Sequence, residues 1–237
     1  MTALILQARL DSSRLPGKSL LPLGLENPPA RPLVFRVMEA LAGIACDIKI
    51  LACPKDCKKA FLPLAEEAGF DLFIGPKDDV LARYCGAVEY YKIDRVLRAT
   101  GDNPFVFTDA ANTLEGEALA RNADYAVYAG IPHGTGVNCV SAEALLRAGR
   151  EAETAFDREH VCPYLYSRPE LFRLHLPLAP LCWQGPKLNC TVDTEEDYRR
   201  ANALYAALPP AVRNKGEYVV AACRKIAGFG KDPGAPG

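Results

Sequence analysis

An α/β fold, with a mostly parallel central sheet and helices on both faces, is predicted by the way short apolar runs alternate with longer amphipathic stretches. A second observation agrees. Loop chemistry is concentrated at 8–20, 100–104 and 129–138, and the first two of these follow predicted strands. In an open parallel sheet the loops leaving the carboxyl ends of strands form the ligand crevice. A third is bulk composition: 237 residues with 49% hydrophobic and 24% charged residues are enough for a full globular core.

The elements follow in chain order. Ala3–Leu6, Ile48–Ala52, Leu72–Ile74, Arg95–Arg98 and Tyr125–Tyr128 are short, apolar and bounded by polar, Gly or Pro residues, which predicts strands. Leu33–Leu41, Cys57–Ala68 and Val80–Tyr91 repeat apolar residues at helical spacing, and Asp78 and Asp79 are suitable N-terminal caps for the last. Gly134–Val140 reads as extended, Ala142–Arg150 and Asp157–Ser167 as helices, and Phe172–Leu176 and Leu188–Val192 as strands. A helix over Thr194–Ala207 is signalled by Thr194 with Asp197 three positions later, the pattern of a capping box. Glu217–Ile226 predicts a last helix. Residues 1–228 are read as one domain and 229–237 as a flexible tail.

A net charge of -1 offers no general attraction to nucleic acid or an anionic membrane, so neither is expected as a partner. The nine cysteines lack a paired C-x-x-C set, and Cys53 and Cys57 have no second pair or histidine nearby, so free thiols are expected rather than a zinc site. The N-terminal apolar run, Ala3–Leu6, is too short for a secretory signal and no run approaches membrane-spanning length, which predicts a cytoplasmic location.

The segment Ala8-Arg9-Leu10-Asp11-Ser12-Ser13-Arg14-Leu15-Pro16-Gly17-Lys18 follows the first strand and contains little to pack in a core. Its cations, hydroxyls and amides suit an anion such as a triphosphate, although a solvated basic loop would read the same way. It is neither a Walker A loop nor a G-x-G-x-x-G turn. The pattern A-R-x-x-S-S-R-L-P-G-K-x-L resembles the opening loop of sugar-activating cytidylyltransferases, including CMP-Kdo synthetase and, more closely, the SpsF-like spore-coat polysaccharide proteins. Residues 78–84 (DDVLARY), 98–104 (RATGDNP), 157–164 (DREHVCPY) and 191–197 (TVDTEED) extend the resemblance in the same order along most of the chain.

That resemblance implies a GT-A-like, Rossmann-type nucleotidyltransferase fold and transfer of CMP from CTP to a sugar or sugar acid, for surface polysaccharide or glycan synthesis. Arg14 and Lys18 would grip the phosphates as the catalytic cations, Ala8, Arg9, Ser12 and Ser13 would line the nucleotide site, and Arg83, Thr100 and Gly101 would lie near base and ribose. Asp102 and Asp193 fall on the positions of metal-binding aspartates in the related Q-G-D-E-P and V-D-T-P-E-D segments, which makes them the expected Mg²⁺ ligands. From the residues alone, Asp102 could instead stabilise its turn, and Asp193 the N-terminus of the following helix.

The acceptor side departs from the family. A P-x-G-x-D-x-E pattern is common there, whereas this chain has Pro132-His133-Gly134-Thr135-Gly136-Val137-Asn138, neutral at both acidic places. His133, Asn138, Arg158 and His160 are the candidate acceptor residues. By analogy, 142–180 is read as a subdomain that covers the acceptor or forms a homodimer contact. Two other functions compete: a GT-A glycosyltransferase, whose usual D-x-D motif Asp102-Asn103-Pro104 does not supply, and a non-catalytic nucleotide-binding homologue, suggested by neutral Gly136 and Asn138.

Overall fold

The computed structural model describes residues 1–25 and 29–226. In chain order the strands are β1 (Thr2–Gln7), β2 (Pro22–Leu23), β3 (Arg31–Pro32), β4 (Ile48–Pro54), β5 (Asp71–Gly75), β6 (Arg95–Thr100), β7 (Tyr125–Ala126), β8 (Asn138–Ser141) and β9 (Leu174–His175). The helices are α1 (Leu33–Leu41), α2 (Lys58–Ala68), α3 (Val80–Tyr91), α4 (Thr108–Ala120), α5 (Ala142–Glu151), α6 (Ala155–His160), α7 (Pro163–Tyr166), α8 (Glu195–Ala207) and α9 (Gly216–Cys223).

The main sheet runs β5-β4-β1-β6-β8-β7-β9, and β2 pairs with β3 separately. β5, β4, β1 and β6 are parallel, β8 is antiparallel to both its neighbours, and β9 is parallel to β7. Gln7 lies level with Ala52 on one side and Thr100 on the other, so the loops leaving β1 and β6 start side by side.

Side-chain alternation along the strands divides the core. Leu4, Leu6, Leu51, Leu97 and Ala99 pack with α1, α2, α4, α8 and α9 on one face, while Ala3, Ile5, Ile50, Ala52 and Val96 pack with α3, α5 and residues 161–165 on the other. Burial on both faces explains why β1 reads as a continuous apolar run. Each fully buried Leu or Ile contributes about 1.5–3 kcal/mol relative to exposure.

Several expectations change. The expected helix 157–167 is two helices interrupted at Val161, whose φ of 72° leaves right-handed helical space. The expected strand Leu188–Val192 is reduced to bridge pairing at 188 and 189, with Asn189 parallel to His133. Helix α4 is an addition: its buried face is built from Thr108, Ala110, Ala111, Leu114 and Ala118, so it lacks a stripe of large apolar residues. The expected tail at 229–237 lies outside the described residues.

Candidate functional site

Two loops meet at the carboxyl ends of β1 and β6 because Gly101 allows it. Its amide donates to the Gln7 carbonyl at 2.8 Å, and a Cβ at this position would stand 2.8 Å from the Cβ of Ala8. Ala8 is accordingly buried against that contact, and its amide donates to the Ala52 carbonyl at 3.2 Å. The opening loop then turns back on itself. The Ser19 hydroxyl donates to the Arg9 carbonyl at 2.7 Å, and Gly17, at a φ of 69°, supplies the left-handed residue before Lys18. Arg9, Leu10, Asp11, Ser12, Ser13 and Pro16 line an open cavity of about 420 Å³ in this loop.

Lys18 points inward from the loop. Its Nζ donates to Asp102 Oδ2 and Asp193 Oδ1, both at 2.8 Å, and to the Val192 carbonyl at 2.9 Å. Burial pulls the ammonium down, but the carboxylates of Asp102 and Asp193 outweigh it and hold its pKa above the ordinary lysine value. Arg14, largely exposed at the rim, reaches the other oxygen of Asp193 at 3.0 Å. Arg14, Lys18, Asp102 and Asp193 are therefore one charge cluster assembled from three separate segments.

Both aspartates are held from behind. The Thr100 hydroxyl donates to Asp102 Oδ1, and Asn103 Nδ2 donates to the Thr100 hydroxyl, each at 2.8 Å. The Val192 amide donates to the Asp102 carbonyl at 2.9 Å, and the Thr191 hydroxyl to Asn103 Oδ1 at 2.9 Å. Asp193 precedes a full capping box on α8, in which Thr194 and Asp197 bond reciprocally. The Asp193 amide itself donates to Asp197 Oδ2 at 3.1 Å, which leaves the Asp193 side chain turned to Lys18. Asn103, Thr191 and the Val192 carbonyl went unrecognised in the sequence. Their only signal was that Asn103 lies in the 98–104 segment, and Thr191 and Val192 in the 191–197 segment, that carry the two aspartates.

A cation bound by two carboxylates is also a test of metal fit. Oxygens from Asp102 and Asp193 converge on one point, and hard oxygen donors suit Mg²⁺, which ordinarily takes one or two carboxylates and completes its shell with phosphate and water. No cluster of three or more His, Cys, Asp or Glu suited to a metal occurs among the described residues, so an all-protein cage is not on offer. The thiols do not substitute: burial pushes Cys53 up to about 12 and Cys57 up to about 11.

The remaining candidates divide. Arg9 is exposed and lies 3.6 Å from Glu159, bringing the opening loop to α6. Ser12 accepts from the Leu15 amide at 3.4 Å, and Ser13 is exposed on the cavity wall. Arg83, expected near base and ribose, is buried instead, and its guanidinium donates to the carbonyls of Pro76 and Lys77. It shapes the β5–α3 turn from beneath. Arg158, expected to touch the acceptor, has its donors directed at Asp79 Oδ2 at 2.6 Å and at the Gly149 and Ala152 carbonyls. Because Asp79 caps α3, this arginine ties α6 to α3 and α5. His160 is exposed and packs on Phe156, with ring centroids 4.5 Å apart.

The 132–138 loop lies along the segment that carries Asp193. The His133 amide donates to the Leu188 carbonyl, and the His133 carbonyl accepts from Cys190. Gly134 has a φ of 81°, and a Cβ there would fall 2.3 Å from the Thr191 hydroxyl oxygen. The His133 side chain is exposed. Neutral Gly136 is a packed position, where a Cβ would meet Ile131 Cδ1 at 2.7 Å. Asn138 accepts from Arg98 at 3.0 Å and donates to the Tyr125 hydroxyl at 3.0 Å. A larger cleft of about 640 Å³, lined by Asp124, Glu143, Arg147 and Arg173, opens at the amino ends of β7 and β9, the opposite end of the sheet from Asp102.

A crevice at strand ends, a cation-bearing first loop and two facing aspartates define a nucleotidyltransferase, and the chain belongs to the cytidylyltransferase family, whose sequence model matches residues 3–212. It is 32% identical to the spore coat polysaccharide biosynthesis protein SpsF of Bacillus subtilis over 204 residues, 85% of each chain. It is 31% identical to an uncharacterized protein of Methanocaldococcus jannaschii, over 82% of this chain and 79% of that one. The fold is similar to that of a cytidylyltransferase from Leptospira borgpetersenii, with a TM-score of 0.84, 21% identity and 94% of each chain covered. It is also similar to CMP:2-keto-3-deoxy-manno-octonic acid synthetase complexed with CTP, with a TM-score of 0.65, 16% identity, and 87% of this chain and 98% of that chain covered. Among the described residues no helix is long and apolar enough to cross a membrane.

Proposed function

We propose that this cytidylyltransferase transfers CMP from CTP to a sugar or sugar acid with Mg²⁺ and releases pyrophosphate. The observation that carries the reading is the convergence of Asp102 and Asp193 on one cation, Lys18, beside the phosphate-suited loop. The synthetase of similar fold was solved with CTP, and the relative SpsF is a polysaccharide biosynthesis protein; both support the nucleotide and the acceptor class.

The acceptor oxygen attacks the α-phosphorus, a new P–O bond forms, and the bond to pyrophosphate breaks. Positioning and charge neutralisation supply most of the catalysis in such transfers. Lys18 and Arg14 face the negative charge that grows on the leaving pyrophosphate, and amides and hydroxyls of 8–13 orient the nucleotide. Asp102 and Asp193 would hold Mg²⁺. A divalent ion held by them would supply charge neutralisation at the phosphate oxygens.

The test is pyrophosphate release from CTP and Mg²⁺ across a panel of neutral sugars and sugar acids. Acceptor-dependent release is expected. Consumption of a nucleotide-sugar with release of nucleotide would mark a glycosyltransferase instead, and CTP binding without turnover over a broad panel a non-catalytic homologue.

A further inference from the structure

Arg98 lies in β6, two residues before Thr100, with its side chain on the face that packs against α3. Its guanidinium donates to Asn138 Oδ1 at 3.0 Å across the β6–β8 pair and to Gln7 Oε1 at 3.1 Å across the β6–β1 pair. Both partners are neutral. The Nε–H is buried and has no hydrogen-bond partner among the described residues, and no carboxylate there lies within ion-pair distance of the group. The Tyr84 ring lies beneath the charge, 6.0 Å away.

An arginine keeps its charge at any ordinary pH, and burying that charge without a counter-ion is costly. The neighbours are not accidental bystanders. Asn138 donates its amide to Tyr125, which fixes its carbonyl oxygen toward Arg98. Gln7, Arg98 and Asn138 all remain partly accessible at the carboxyl end of the sheet. The site therefore holds a cation in a set orientation, solvates two of its donors with amide oxygens, and leaves it without a carboxylate in contact among the described residues; Asp102, in the turn after β6, acts on it only from beyond ion-pair distance.

We propose that Gln7, Arg98 and Asn138 form an anion subsite that receives a carboxylate or phosphate group of the acceptor. Arg98 supplies the charge, and the two amides position it. The assignment to the acceptor rests on the transferase reading above; the anion site itself does not. Under it, the neutral residue at position 138 selects an anionic acceptor, because a carboxylate at that position would satisfy Arg98 internally.

The test uses the full chain with acetate and, separately, inorganic phosphate as probes, at constant ionic strength held with chloride. Binding is followed by thermal shift and by the NMR signal of the Arg98 Nε–H. Wild type should respond saturably to at least one probe, and the stronger of the two arms identifies a carboxylate or a phosphate group. Asn138→Glu and Gln7→Glu each place a carboxylate beside Arg98, and should weaken that binding roughly tenfold or more. Phosphate taken up at Lys18 and Arg14 would respond equally in wild type and variants. No saturable response in wild type, or equal responses in wild type and both folded variants, overturns the proposal. CTP binding to wild type, measured by calorimetry, tests the transferase reading separately, and its failure would leave an observed anion site standing.

Discussion

Lys18 is the residue on which the cluster turns, since it bridges two carboxylates that would otherwise face each other with, among the described residues, exposed Arg14 as the remaining cation in contact. Replacing it with Ala removes both the charge on the phosphates and the bridge, so turnover should fall about 10²–10³-fold while the fold persists. Asp102→Asn should lower turnover similarly, and pyrophosphate release measured beside a thermal melt checks both; near-normal rates in either would remove the assignment. The pH dependence has a definite sign. The folded-state pKa of Lys18 is raised, so its stabilisation is complete below the ordinary lysine value of 10.5 and is lost as pH rises through the higher folded value. A melt series from neutral to strongly alkaline pH should therefore show the wild-type advantage over Lys18→Ala disappear only at the alkaline end. At this scale the sequence was informative where residue type restricts chemistry, as in an aspartate at a strand end or a lysine after a Gly turn. It was uninformative for Arg83 and Arg158, because the same guanidinium donors serve a ligand or a run of backbone carbonyls, and only packing decides which.

At the scale of elements, the carboxylates are aligned by contacts between loops. Gly134 is the tightest of these, at positive φ and with no room for a Cβ against Thr191. Gly134→Ala should force the 132–138 loop away from 189–193 and draw Asp193 off Lys18. The expected result is a loss of about 1–3 kcal/mol in stability and a marked fall in turnover, read by denaturant unfolding and by kinetics on the same preparation. Unchanged values for both would show that the two loops are not mechanically linked. Arg158→Ala is the contrasting case: it removes the tie between α6 and the cap of α3 and should cost about 1–3 kcal/mol, yet leave CTP affinity within error. Most strands and helices were legible from periodicity because their buried residues are large and apolar. α4 was not, since alanines make up much of its buried face, and the reversed direction of β8 depends on pairing partners that no local pattern encodes.

The whole molecule joins the nucleotide loop, the two aspartates and both cores through one sheet, so occupancy of the crevice should register as global stability. Parallel pairing of β1 with β4 and β6 places the first loop and the Asp102 turn at the same sheet end, and α8 brings Asp193 to them from far along the chain. A ligand that bridges these segments opposes their separation on unfolding. At a free concentration about 100 times its Kd, such a ligand adds about 2.7 kcal/mol, which for a chain of this size corresponds to a rise in Tm of roughly 5–10 °C. CTP with Mg²⁺ should produce a shift of that order in wild type and a much smaller one in Lys18→Ala. The comparison with UTP, GTP and ATP carries more weight, because the phosphates are common to all four and any difference reports the base. A larger shift with CTP at matched concentration is the expected outcome, since the base must then be read by the walls of the crevice rather than by the cations at its rim. Equal shifts from the four nucleotides would confine recognition to Arg14, Lys18 and the opening loop, and would remove the cytidine preference from the proposed reaction.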